Sequence, residues 1–125
     1  MSRVVHFNIT AVEPLRAAKF YSDVFGWKIE KRAGGPTGPD AFAIRTGDAK
    51  APGIDGFLIQ RQAAHERVIQ YIGVKSLDEF LPRVVENGGE IVKERTAVPG
   101  FGYTAVCLDP EDNLFGIIEA DATVK

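Results

Sequence analysis

One stretch of this chain is written twice. His6-Phe7-Asn8-Ile9-Thr10 leads into an apolar-patterned helix closed by Gly26, and Ile69-Gln70-Tyr71-Ile72-Gly73 leads into a second closed by Gly89, 63 positions further on. With that offset His6 falls on Ile69, Asn8 on Tyr71 and Ala18 on Leu81. The ends of the copies repeat as well: Gly56 precedes Phe57-Leu58-Ile59, and Gly116 precedes Ile117-Ile118-Glu119, 60 positions apart. Such a period is too long for a solenoid. It predicts two copies of a small unit curled around a shared cleft, with equivalent strands facing each other across it and the function lying between them.

Alternation makes residues 4–10 a strand, with Val5, Phe7 and Ile9 on one face and His6, Asn8 and Thr10 on the other. Pro14 suits a helix start, Leu15, Ala18, Tyr21, Val24 and Phe25 supply an apolar helical face, and Gly26 stops it. Strands follow at 27–31, 41–45 and 54–60, with a Gly/Pro-rich loop at 33–39 placed as a flap beside the cleft mouth. Residues 61–66 read as a connection with Arg61, Gln62, His65 and Glu66 exposed. The pattern then restarts with a strand at 68–74. Ser76-Leu77-Asp78-Glu79 has capping-box spacing, Pro82 predicts a bent or late-starting helix, and Gly88-Gly89 ends it. Strands at 90–97, 102–108 and 114–119 complete the order β-α-β-β-β, twice. The expected fold is α+β: one domain over 1–125, with a first module at about 1–61 and a second at about 67–121, each a curved mixed sheet.

Composition removes several function classes. A net charge of −2, with cations scattered from Arg3 to Arg95, offers no basic stripe for nucleic acid. No apolar run is long enough to span a bilayer, and the N-terminus lacks a leader pattern, so a cytoplasmic protein without a membrane partner is expected. The single cysteine, Cys107, sits in an apolar strand pattern and reads as a small buried hydrophobe. Residues 34–39 are too rich in proline for a phosphate nest, and no Ser or Cys nucleophile stands beside a base.

The element order, together with His6, the run Pro14-Leu15-Arg16-Ala17-Ala18-Lys19-Phe20-Tyr21, Val24-Phe25-Gly26-Trp27, Tyr71-Ile72-Gly73-Val74, Val98-Pro99-Gly100 and Asp109-Pro110-Glu111-Asp112-Asn113-Leu114-Phe115-Gly116, resembles the vicinal oxygen chelate superfamily. That group includes glyoxalase I, extradiol dioxygenases, and fosfomycin and bleomycin resistance proteins. The resemblance implies a divalent metal held by His or Glu near the starts of the first and fifth strands and near the ends of the fourth and eighth. His6 and Glu119 match. Ile69 and Ile59 stand at the other two positions and cannot bind a metal, and Phe57, the other inward residue of the fourth strand, cannot either. Asn8, Gln60 and Tyr71 are poor substitutes. The metal site therefore reads as degenerate, with His6 and Glu119 as its remnant and no cofactor expected. The resemblance also implies a homodimer.

Alternation then places His6, Asn8, Phe57, Ile59, Ile69, Tyr71, Ile117 and Glu119 on one concave face, an apolar wall with four polar groups that suits a small-molecule ligand. Phe101 and Tyr103, in and after the turn at Pro99-Gly100, are placed to close over a planar ligand. The leading expectation is a metal-independent binder of an apolar or planar metabolite or drug. The alternative is a lyase, isomerase or dioxygenase of the same superfamily using His6 and Glu119, either with a metal completed by water or substrate or as a metal-free acid–base pair. A third reading is a module serving only assembly. Against all of these stands a plainer one, in which His6 and Glu119 are hydrogen-bonded structural groups and Tyr71 packs.

Overall fold

The computed structural model describes residues 2–32 and 41–125. Along them run β1 (Arg3–Ala11), α1 (Pro14–Phe25), β2 (Lys28–Arg32), β3 (Ala41–Arg45), β4 (Gly56–Gln60), β5 (Val68–Val74), α2 (Leu77–Glu86), β6 (Glu90–Val98), β7 (Gly102–Leu108) and β8 (Leu114–Ala120). This is the doubled β-α-β-β-β order in an α+β chain. The flap expected at 33–39 lies outside the described residues. Two compact units result, His6–Ile69 and Gln70–Lys125 with the chain up to Val5, so the first three residues of β1 belong with the second repeat.

In the His6–Ile69 unit the strand order is β2-β3-β4-β1. β1 and β4 run parallel with Phe7 opposite Gly56 and Ile9 opposite Leu58, and the other pairs are antiparallel. One face carries the apolar set: Ala11, Ile44 and Leu58 are buried, with Phe7, Ile9 and Phe42 against them. A side chain at position 56 would strike the ring and carbonyl of Phe7, so only glycine allows this approach. α1 begins with Pro14 in its first turn and ends at Gly26, which takes the left-handed φ of 72° and donates its N–H to the Ser22 carbonyl.

The helix face differs from the one expected. Ala17 and Ala18 meet the core, and Tyr21 stacks on Trp27 at 5.1 Å, while Leu15, Val24 and Phe25 stay exposed at 73%, 55% and 61%. The connection at 61–66 is also less open than expected. Arg61 is half-buried, donating from its guanidinium to the Thr10 hydroxyl at 3.0 Å and the Thr10 carbonyl at 2.9 Å. The Glu66 carboxylate is likewise tucked in, accepting the Gln62 and Ala63 N–H groups.

In the other unit the order is β6-β7-β8-β5, with β5 and β8 parallel and Ile72 opposite Ile117. Leu77, Ala105, Cys107 and Ile117 form the buried cluster under α2, and Phe80, Val84 and Val74 pack on it. Burial pushes the Cys107 thiol pKa up, keeping it a neutral core side chain. The Ser76 hydroxyl accepts the Glu79 N–H, and α2 starts directly at Leu77 with Pro82 inside it, so the late start does not occur. Two register shifts interrupt β6 against β7.

The repeat register carries one surprise. Ile9 and Ile72 keep the offset of 63, but their partners Leu58 and Ile117 are 59 apart, not 60. Gly56 and Gly116 are therefore not equivalent. Phe7 covers Gly56 on the helix-facing side, whereas Tyr71 covers Gly116 on the side turned away from α2. A slip of one residue sends every side chain of a strand to the other face.

Candidate functional site

The face of the His6–Ile69 sheet turned away from α1 gathers the polar and aromatic groups. β1 presents His6, Asn8 and Thr10, β4 presents Phe57 and Ile59 opposite Asn8 and Thr10, and β2 ends at Arg32. His6 Nε2 lies 2.8 Å from Asn8 Oδ1. A carboxamide oxygen only accepts, so Nε2 carries the proton and Nδ1 is the acceptor nitrogen. Burial lowers the His6 pKa from its ordinary 6.5, and the bond to Asn8 and the charge of Asp55 oppose that only in part. The imidazole is thus neutral at pH 7. Its ring meets Phe57 edge-on at 4.8 Å between centroids, and the Arg32 guanidinium sits 5.2 Å over the same Phe57 ring.

Two residues of this face are themselves buried. Asn8 is 8% exposed and Thr10 only 2%. The Thr10 hydroxyl meets the Glu66 and Arg67 carbonyls and accepts from Arg61, so Thr10 holds the connection to β5 and is not available for chemistry. Ile69, also expected at the site, is buried at 5%.

In the Gln70–Lys125 unit Tyr71 is 7% exposed and lies over Gly116. Glu119 and Ile117 are not on that side. Ile117 belongs to the cluster beneath α2, and Glu119 Oε1 accepts the Leu77 N–H at 2.9 Å, with Arg95 at 3.9 Å. The cause is the register above. Pairing the two glycines placed β8 one residue out and turned Ile117 and Glu119 to the wrong face. On the Tyr71 side β8 offers Gly116, Ile118 and Ala120. Tyr103 also differs from expectation: it stands opposite Glu119, packs on the α2-side cluster, and lies 4.0 Å under the Arg95 guanidinium. Phe101 remains at a turn, 39% exposed, its carbonyl accepting the Asp121 N–H.

Among the described residues the donors around His6 do not make up a divalent-metal set. His6 shares its face with an amide, apolar side chains and a guanidinium, and the carboxylate of Glu119 is committed to α2. Among the described residues no three His, Cys, Asp or Glu side chains gather as a metal site. No helix among them is long and apolar enough to cross a membrane.

Arg32 and Arg61 escaped the sequence reading. Alternation along β2, with Ile29 on the core side, puts Arg32 on the face turned away from α1, so its placement was legible. Arg61 gave no such signal, because it folds back on Thr10 from outside any strand.

Comparison with known proteins follows the same lines. The family model described as Glyoxalase/Bleomycin resistance protein/Dioxygenase superfamily matches residues 3–117. No curated protein matches the chain. Among solved structures, a hypothetical protein from Bacillus halodurans C-125 superposes with a TM-score of 0.73 at 16% identity, covering 99% of this chain and 98% of that one. Methylmalonyl-CoA epimerase from Mycobacterium tuberculosis gives 0.69 at 14% identity, covering 94% and 87%. A methylmalonyl-CoA epimerase in complex with methylmalonyl-CoA and NH4+ also gives 0.69 at 14%, covering 100% and 99%. Likeness at these identities concerns the fold.

Proposed function

The chain belongs to the glyoxalase/bleomycin resistance protein/dioxygenase superfamily, and from that premise we propose that it is a small-molecule-binding protein with a degenerate metal site, taking an apolar or planar metabolite or drug at the face of the His6–Ile69 unit turned away from α1. The observation that carries the reading is the grouping of His6, Asn8, Phe57 and Arg32. An imidazole edge, a phenyl ring and a planar guanidinium at stacking distances form a platform for a flat ligand. Asn8 anchors the imidazole, and its low pKa keeps a second charge off the platform at neutral pH. The metal-enzyme alternative needed Glu119 as the carboxylate partner of His6. Glu119 is engaged with the Leu77 N–H instead, which argues against both a metal pair and an acid–base pair.

Naphthol, a flat and uncharged probe, tests this by saturation-transfer NMR with EDTA present throughout. Saturable binding that survives the chelator and weakens about fivefold to tenfold in Phe57→Ala is expected. Binding that vanishes with EDTA would establish a metal-dependent site. Equal binding by wild type and Phe57→Ala, with both folded by circular dichroism, would remove the platform from the argument.

A further inference from the structure

A cavity of about 720 Å³ opens in the unit formed by Gln70–Lys125 and the chain up to Val5. Its size falls in the range of small-molecule pockets. Val5, Val74, Phe80 and Ile118 line it with apolar side chains. Gly73 on β5 lets the Val5 side chain lie close, since a Cβ there would meet it at 3.2 Å, and β8 puts only the small Ala120 at the cavity. Two cations, Arg3 and Lys75, stand at the same cavity, and neither makes an ion pair with any described carboxylate.

The local anions and helix donors are otherwise engaged. Glu79, which also lines the cavity, is paired along α2 with Arg83 at 2.9 Å. At the start of α2 the Leu77 N–H is taken by Glu119 and the Glu79 N–H by Ser76, so the helix end offers little to a ligand. What remains is an apolar chamber with an uncompensated positive rim.

We propose that this cavity binds an amphiphilic organic anion, an apolar chain ending in a carboxylate, with the chain against Val5, Phe80 and Ile118 and the head group between Arg3 and Lys75. The chain satisfies the apolar wall through burial. The head group answers the two cations, which exclude a cationic amphiphile and give the anion an advantage over a neutral one. The site is separate from the His6 platform and does not rest on it.

Isothermal titration with decanoate, decanol and decyltrimethylammonium tests the idea, all below their micellar concentrations. Decanoate should bind saturably, decanol more weakly, and decyltrimethylammonium not at all. Arg3→Ala and Lys75→Ala, both exposed positions, should each weaken decanoate up to about fivefold. Ala120→Trp should fill the chamber and abolish binding while thermal melting confirms a folded protein. Phe57→Ala should leave decanoate binding unchanged, and Ala120→Trp should leave naphthol binding unchanged. No decanoate binding to wild type, equal affinity for decanoate and decanol, or decanoate lost in Phe57→Ala but kept in Ala120→Trp would each overturn the proposal.

Discussion

Gln60 and Glu119 occupy the same place in the two repeats, 59 positions apart at the helix-facing end of the last strand, yet they do opposite things. The Gln60 side-chain amide donates to the Val12 carbonyl at 2.9 Å, just before α1. The Glu119 carboxylate accepts the Leu77 N–H at 2.9 Å, at the first residue of α2. With the offset of 63, Leu77 corresponds to Pro14, which has no N–H to give. A carboxylate at position 60 would find no donor there, and an amide that can donate instead reaches the carbonyl two residues earlier. Each repeat ties its last strand to its helix with the hydrogen-bond polarity that its own first helical residue allows. A residue that looked like half of a metal site is thus a structural tie with a counterpart in the other repeat.

The contrast extends to the helices. α2 has a serine cap, the Glu119 tie and a fully buried Leu77. α1 has no side-chain cap and no buried residue, and shows Leu15, Phe20, Val24 and Phe25 to the outside. The polar burial is distributed the other way. Asn8 and Thr10 are buried on the face of the first repeat turned away from α1, where the second has Tyr71 and Gly73. The second repeat concentrates apolar packing under its helix, and the first buries polar groups on the face turned away from its own.

The sharpest test of that division compares one leucine from each helix. Leu77→Ala removes a side chain with 0% exposure from the centre of a closed cluster and should cost about 2–5 kcal/mol. Leu15→Ala, at 73% exposure, should change stability by less than about 0.5 kcal/mol. Urea denaturation of both variants reads the difference, and similar losses would show that α1 is anchored as firmly as α2.

Next in size is the strand-to-helix tie. Glu119→Ala should cost about 1.5–3 kcal/mol, because it leaves the Leu77 N–H without its charged acceptor. Glu119→Gln, which keeps an acceptor oxygen, should recover most of this, and Gln60→Ala at its exposed position should cost only about 0.5 kcal/mol. If Glu119→Ala melts like wild type, the carboxylate is not a tie, and its earlier reading as a site residue regains its force.

Much of this was legible in the residues. The doubled order, the helix stop at Gly26, the Ser76 cap and the shared face of His6, Asn8 and Thr10 all follow from local pattern, because periodicity and caps are written into neighbouring residues. The orientation of Glu119 was not. It depends on whether Gly56 matches Gly116 or Phe57 does, and each glycine is in fact fixed by an aromatic ring on a neighbouring strand, Phe7 in one case and Tyr71 in the other. Two glycines kept for different contacts resemble one conserved position. The exposed side of α1 failed for a related reason: its apolar residues lie all round the helix, and only contact with Trp27 and the sheet marks the stripe at Ala17, Ala18 and Tyr21.

The smallest expected effect bears on His6, the polar residue of the first repeat whose counterpart, Ile69, cannot titrate. Its folded pKa lies below 6.5 because burial disfavours the imidazolium. The unfolded chain therefore binds the proton more readily than the folded one. Above pH 6.5 both states are neutral and the full stability is present; as pH falls from there toward the lowered folded value, stability is lost, by at most about 1.4 kcal/mol per pH unit. Asp109 and Asp121 have depressed pKa values from their hydrogen bonds to Asn113 and Thr123, and their losses come at lower pH, in the carboxylate range. Subtracting the pH profile of His6→Gln from that of wild type isolates the histidine. A positive slope of stability with pH confined to the region below 6.5 is the expected result. A slope of opposite sign would mean that folding favours the imidazolium, and the neutral platform beside Phe57 would have to be replaced by a charged ring facing Asn8; a flat difference would mean that folding leaves the titration of His6 unchanged and that burial does not disfavour its charge.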